Sequence, residues 1–554
     1  MALVGFAATF AAPAPGFAAT PAGLSVSQPA ASVTFEQHLE AAILAAGPEF
    51  EGVRAFYAAR AYQPIWTGAD RRTAQALLAS MGQMFDHGLP SQSRKTTLMA
   101  AILETVGEGE AAASAELMFT ETYLEFARKK TTGLLIPNTL DEEIYVFPEE
   151  KTDDELLFTL ASSRDPAEFI QALAPQTEQY RRLQNLLVAM RDTVRGGGWG
   201  AVTIPPGDLI RPGDADPRIP AIRDRLTAMG DHARPLSGLV LASTGDNGAQ
   251  LYDIELEAAL RRFQARHGLN DDGVIGNATL AALNVTAEQR MRQVLVNLER
   301  ERWMNKDLGG KHIYVNLADF RMFVREGGEE LFTSRVVIGQ SEEHRTPEFS
   351  DRMTFMVANP TWTVPRSIAV EEILPELKRN PAYLVENNMR LLPGGSAEVP
   401  EDSTLVDWSQ YNENNFPWWI RQSPGPHNAL GRVKFMFPNK FAIYLHDTPS
   451  RSLFRRDVRD YSHGCVRVDR PLDLAHFLLK DQEDDPEAYF QSVLDTAEET
   501  EISLKRSLPV HLSYRTVWVD ADGQLNFRQD VYGRDATVYS ALEQAGVTLF
   551  DVKG

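Results

Sequence analysis

Cysteine is the scarcest residue in this 554-residue chain, with one copy, Cys465. A single cysteine excludes an internal disulfide, and it removes the usual donor set of a structural zinc site. Basic charge is also short: 55 Lys and Arg stand against 76 Asp and Glu, a formal net charge of −21. That balance disfavours nucleic acid as a partner, because such binding runs on neutralised phosphates. The local cluster Arg451, Arg455, Arg456 and Arg459 is short, and it reads as a solvated face or as part of a nearby site. The chain has no GxxxxGK[ST] loop and no HExxH, so nucleotide and metalloprotease signatures are missing and no cofactor is expected. Beyond the N-terminus no stretch approaches about 18 uncharged apolar residues, so a later membrane span is not expected.

What is present is ordinary globular material. The apolar fraction is 43% and the charged fraction 24%, enough for about three or four domains at this length. Residues 4–12 are apolar and small, and Phe17-Ala18-Ala19 suits a small-residue cleavage site. Residues 1–19 therefore read as a secretory signal peptide, although no Lys or Arg precedes the apolar run. The expectation is export to the periplasm.

The pattern then falls into blocks. Residues 20–34 are rich in Ala, Pro and Ser and read as a flexible lead-in. Residues 35–180 carry helical spacing, as in Leu39, Ile43 and Leu44. A further helical run, 181–195, stops at Gly196-Gly197-Gly198. The scaffold block is placed at 35–215, with the proline-rich stretch 205–217 as a linker. Residues 216–290 form a second unit with helices over 219–229, 252–267 and 277–283, and 285–303 reads as a helical connector. From residue 311 to the C-terminus the period becomes 2, as in Ile313, Val315 and Leu317. Strands are expected at 336–338, around 357, and at 441–445 and 466–468, with helices over 369–379 and 472–480. Residues 510–519 and 525–527 around Asp522-Gly523 predict a hairpin. The fold class is multidomain α+β: a helical scaffold, a small helical module and a mostly-β C-terminal domain.

The chemistry concentrates in Tyr444-Leu445-His446-Asp447 and in Ser462-His463-Gly464-Cys465-Val466-Arg467. A thiol attacks carbonyls as its thiolate and needs a base beside it, and His is the usual base. Tyr444 and His446 are two apart on an expected strand, so a phenol and an imidazole share one sheet face. Gly464 lets the backbone turn sharply, and the Gly464 and Cys465 amides could face a developing oxyanion. Arg467 would favour a thiolate or hold a substrate carboxylate. Taken singly, His446 and Tyr444 read as core residues and Arg467 as a surface ion-pair partner. His446, His463 and Cys465 could also hold a catalytic zinc, but no acidic base or familiar zinc spacing accompanies them.

Together these residues match the SHGCxR signature of L,D-transpeptidases, and the chain resembles the large Gram-negative YcbB-type members of that family. The likeness extends to residues 56–66, 346–350, 359–369 and 431–439. Residues 259–269 and Asp272-Gly273-Val274-Ile275-Gly276 resemble a three-helix peptidoglycan-binding module. The resemblance implies a donor tetrapeptide attacked by Cys465 with His446 as base, loss of D-Ala, and transfer of the acyl group to a second stem peptide as a 3–3 cross-link. It implies Tyr444 with the Gly464 and Cys465 amides as oxyanion hole, and Ser462 and His463 as residues that shape the loop and orient His446. It further implies Trp362 as a cleft wall, residues 367–420 as a capping insertion, and reactivity towards carbapenems. The partner is peptidoglycan, as tetrapeptide donor and stem-peptide acceptor, with wall-synthesis or outer-membrane proteins as further partners. The same thioester could instead pass to water or to a protein amine, giving an L,D-carboxypeptidase or an anchoring enzyme, and sequence does not separate these. A catalytically idle wall-binding scaffold is the reading from a different class, opposed by the intact His446 and Cys465 pair.

Overall fold

The computed structural model describes residues 33–232, 248–394 and 397–550. The leader expected at residues 1–19 lies outside them. Helices begin at Phe35–Ala46, where Thr34 and Gln37 close a capping box. The helices up to Pro166–Gln171 gather round Phe56, Trp66, Phe119 and Tyr123. Glu178–Arg195 follows and ends against Gly196, as its glycine stop predicts.

The second unit packs Ile219–Ala228, Ile254–Arg266 and Asn277–Asn284 round Ile222, Leu260 and Phe263. The stretch 205–217, read as a linker, does not hang free. Ile210 and Ile275 exchange backbone hydrogen bonds of 3.2 and 3.0 Å, and Ile204 and Ile210 enter the module's core.

The expected connector is the helix Ala287–Trp303, and it is buried on nearly every face. It shares one core with Leu183 and Leu187 on one side and Val538 and Leu542 of the helix Arg534–Gln544 on the other. Its charged run is buried but paired. Glu299 accepts from the amides of Leu134 and Leu135 at 2.6 and 2.9 Å, Arg300 meets Asp535 at 2.5 Å and Glu301 meets Arg515 at 2.9 Å. A buried charge is tolerated only on such terms. The helix thereby ties the scaffold to the C-terminal domain.

That domain opens with β1 (Lys311–Asn316), β2 (Arg321–Glu326), β3 (Glu329–Gly339) and β4 (Phe349–Ala358). Short strands β5 (Trp362–Thr363), β6 (Met389–Leu392) and β7 (Trp419–Gln422) form a separate sheet. β8 (Val433–Met436), β9 (Leu445–His446), β10 (Asp460–Ser462), β11 (Val466–Val468) and β12 (Thr500–Ser513) complete the main sheet. Its order is β10-β3-β11-β9-β8-β4-β12-β1-β2, and β2 also pairs with β3, so the sheet closes on itself. Ile313, Met356, Phe435, Leu445 and Val466 fill its interior. The small sheet has its own core of Val364, Leu377, Trp408, Trp418 and Ile420; it holds the stretch expected as a capping insertion and is labelled the cap.

Two expected strands differ in extent. Of 441–445, only Leu445 joins a strand. The Asn439 side chain takes the amides of Phe441 and Ile443 and the Ile443 carbonyl at 2.8–3.2 Å, and Ala442 sits at φ +55°, so that stretch cannot pair as a ladder. The run 510–519 splits between β12 and β13 (Val517–Val519), which pairs with β14 (Leu525–Phe527) as the expected hairpin. Between them Asn316 and Asn297 accept from the amides of Arg515 and Thr516 at 3.0 and 3.1 Å, fixing a corner.

Candidate active site

The site forms where β9 and β11 run side by side. Their parallel register pairs Leu445 with Val466 and His446 with Arg467. Side chains alternate across a sheet, so Leu445, Val466 and Val468 enter the core while Tyr444, His446, Cys465 and Arg467 share the other face. The shared face expected from the Tyr444 and His446 spacing is present, with their rings 5.7 Å apart.

His446 is buried, and its Nδ1 lies 2.5 Å from the Asp447 carbonyl. A carbonyl only accepts, so Nδ1 carries the hydrogen and Nε2 keeps its lone pair. Burial, and then the Arg467 guanidinium, pull His446 down to about 3, against the Asp447 hydrogen bond. The imidazole is therefore neutral at pH 7 and able to take a proton. Asp447 is fixed in turn: its carboxylate accepts from the amides of Arg432 at 2.8 Å and Thr448 at 2.7 Å.

Cys465 is half-buried, and its thiol donates to the Ala442 carbonyl at 3.7 Å. Among the described residues no hydrogen bond joins it to His446. Resting geometries of this kind are often loose and tighten with substrate. Burial pushes the thiol up to about 11, while hydrogen bonds from the Tyr444 backbone and hydroxyl and the charge of Arg467 pull it down. Burial, and then Cys465, hold the Tyr444 phenol well above its ordinary value, so it stays a donor. The resting pair is a neutral thiol beside a neutral imidazole. Alkylation of Cys465 by iodoacetamide, followed by intact mass, should keep accelerating above about pH 9, because the thiolate accumulates only as pH nears the raised value. A plateau by about pH 8 would contradict this.

Gly464 has φ +102°, and a Cβ there would meet Ile443 Cδ1 at 3.1 Å. The amides of Gly464 and Cys465 donate to nothing among the described residues, which leaves both free for an oxyanion. Behind the turn, the buried Thr346 hydroxyl donates to the Gly464 carbonyl at 2.7 Å and accepts from the Gly339 amide at 2.9 Å. Gly339 also passes close: a Cβ there would lie 2.9 Å from Gly464 Cα. Gly464→Ala should destabilise the fold by about 1–3 kcal/mol and misplace the thiol, seen as a lower melting temperature and slower alkylation; an unchanged protein would show that the turn carries no strain.

The other expected residues have distinct places. Ser462 is buried at the end of β10. His463, expected to orient His446, turns away from it: Nε2 meets Glu372 of the cap at 2.5 Å, and the ring lies 4.5 Å from that of His344. The Asp447 carbonyl orients His446 instead. With His446 bonded to Asp447, His463 to Glu372 and the thiol to Ala442, the donors of the zinc alternative point to different partners. Arg467 stands opposite His446, and its Nε is buried without a partner. Trp362 lies in β5, half-buried and packed against the cap's core. Asp447, Thr346, Gly339 and Glu372 had no assigned role in the sequence reading. Thr346 lay inside the matching stretch 346–350, which was the one available signal.

Residues 310–495 match the family model for the YkuD L,D-transpeptidase catalytic domain. The chain carries a YkuD-type L,D-transpeptidase domain. Residues 51–187 match a model described as "Scaffold domain", and 217–283 one described as "Putative peptidoglycan binding domain". A curated protein of Haemophilus influenzae, named "Putative L,D-transpeptidase", is 35% identical over 226 residues, which are 41% of this chain and 45% of that protein. The N-acetylmuramoyl-L-alanine amidase CwlM of Mycobacterium tuberculosis is 41% identical over 80 residues, 14% of this chain and 18% of that protein. The chain thus spans less than half the length of the curated relatives it matches. A solved L,D-transpeptidase of Stackebrandtia nassauensis aligns at 13% identity over 57% of this chain and 98% of that one, with a TM-score of 0.21, too low to support a structural argument. Along the chain the three matches run scaffold, peptidoglycan-binding module, transpeptidase domain.

Proposed function

We propose that the chain is a cysteine L,D-transpeptidase that forms 3–3 cross-links between peptidoglycan stem peptides in the periplasm. The observation that carries the reading is the grouping of a thiol, a neutral imidazole with its Nε2 lone pair free, a phenol and two unused amides on one sheet face. A turn of the Cys465 side chain from Ala442 towards His446 passes the thiol proton to Nε2. The thiolate attacks the carbonyl of the third stem residue, and Tyr444 with the Gly464 and Cys465 amides holds the oxyanion. His446 returns the proton to the departing D-Ala amine, leaving a thioester on Cys465. The amine of a second stem attacks that carbonyl, gives up its proton to His446, and releases the thiol. In this reading Arg467 holds a stem carboxylate, and the module at 217–283 supplies affinity for the wall.

Intact-protein mass spectrometry with a disaccharide-tetrapeptide tests the first half. The expected result is a thioester on Cys465 with loss of D-Ala, and a stable adduct at the same thiol with a carbapenem. Absence of both adducts would overturn the reading.

A further inference from the structure

Away from Cys465, a cavity of about 480 Å³ lies between the peptidoglycan-binding module, the helix Ala287–Trp303 and the strand β14. Its volume falls in the range of small-molecule sites. One wall is smooth and apolar, built by Ala278, Ala281, Ala282 and Val285. The lining also includes Phe527, with the Arg290 guanidinium 4.5 Å above its ring.

Arg290 is the unusual feature. It is 5% exposed and meets no carboxylate within ion-pair distance among the described residues. Nη1 donates to Gln293 at 2.7 Å, Nε is buried without a partner, and Nη2 makes no hydrogen bond among the described residues. Its neighbours are already paired: Arg266 with Asp231 and Arg528 with Asp319, both at 2.5 Å, and Arg300 with Asp535 at 2.5 Å. His267 is held neutral by burial and by the surrounding arginines. Asp530 lines the same cavity, but its carboxylate accepts from the Tyr514 hydroxyl at 2.8 Å and the Asp535 amide at 2.9 Å. Burial, and then Arg266, depress Arg290 to about 9, against the pull of Asp535, whose carboxylate is paired with Arg300. A buried unpaired charge is strongly unfavourable, so a counter-ion entering beside it binds well.

We propose that this cavity binds the carboxylate end of a short, alanine-bearing wall peptide, with Arg290 as its counter-ion, at a site separate from the Cys465 cleft. The alanine wall suits methyl side chains, and the unbonded Nη2 of Arg290 suits a carboxylate oxygen. The proposal rests on the reading that the chain acts on peptidoglycan, and it adds a second contact that holds the wall polymer while the thiol works elsewhere.

The test is calorimetric titration of the full chain with a soluble disaccharide-tripeptide, which lacks the D-Ala leaving group. Arg290→Gln should weaken binding about tenfold, the worth of one charge-assisted contact. Ala281→Trp fills the cavity and leaves the charge intact, so it should weaken binding comparably even if Arg290→Gln proves poorly folded. Peptide with amidated carboxyls should bind the native chain as weakly as free peptide binds Arg290→Gln. Equal affinity of the native chain, a folded Arg290→Gln and Ala281→Trp would overturn the site. Thioester formation by native protein, scored in parallel, separates that outcome from failure of the transpeptidase reading, in which the thioester itself is missing.

Discussion

His446→Gln is expected to slow thioester formation at Cys465 by about a thousandfold, the usual worth of a positioned general base. Gln can replace the hydrogen bond to the Asp447 carbonyl, but it cannot take the thiol proton. The pH dependence separates this account from an imidazolium–thiolate pair. With His446 drawn down to about 3 by burial and by Arg467, its basic form persists as pH falls through 6 and 5. The native rate should therefore show no acid limb near the ordinary histidine value, and should rise with pH as the Cys465 thiol, held up at about 11, yields more thiolate. Time courses of adduct mass between about pH 5 and 9 give both results. An acid limb near 6.5 would mean that the imidazole is solvated and protonated at rest.

Arg534→Met should lower the stability of the transpeptidase domain by about 3–5 kcal/mol, the range for breaking a buried ion pair from one side. Arg534 is 1% exposed. It meets Glu348 and Glu143 at 3.2 Å each and donates to the Thr346 carbonyl at 3.0 Å, with its guanidinium 4.9 Å from the Tyr532 ring. Removing it strands Glu348, whose carboxyl burial already pushes up and which Arg534, then Arg300, pulls down. In the variant that carboxyl rises further and takes a proton more readily, so the stability deficit should shrink as pH falls from about 7 to 5. Denaturant midpoints for both proteins across that range measure it. The same contact supports Thr346, which carries Gly464, so adduct formation should fall as well. A variant as stable as the native protein would show that Arg300 and the Tyr514 amide suffice to hold Glu348.

The two halves of the site were unequally legible. Ser462-His463-Gly464-Cys465 and the pairing of Tyr444 with His446 could be read directly, because period 2 decides which side chains share a face. The partners of His446 could not. Its orientation depends on the carbonyl of the next residue and on Asp447 reaching back to Arg432, a contact 15 residues away in sequence. His463 sits next to the nucleophile turn, which suggested a role towards His446, yet its ring faces the cap and Glu372. The helix Ala287–Trp303 hid its role for another reason. Its run Glu299-Arg300-Glu301-Arg302 lies in what reads as a helical connector, and contacts distant in sequence give the charges buried partners: Asp535 for Arg300, Arg515 for Glu301, the Leu134 and Leu135 amides for Glu299 and the Tyr180 hydroxyl for Arg302. Likewise, residues 441–445 have the composition of a strand, and one Asn439 side chain removes most of their pairing capacity.

Product analysis of purified disaccharide-tetrapeptide, comparing the native chain with Cys465→Ala, tests the central claim most directly. The account predicts released D-Ala and a 3–3 linked dimer from the native chain and neither from the variant. A dimer that still forms with Cys465→Ala, or a native chain that yields tripeptide and no dimer, would contradict it.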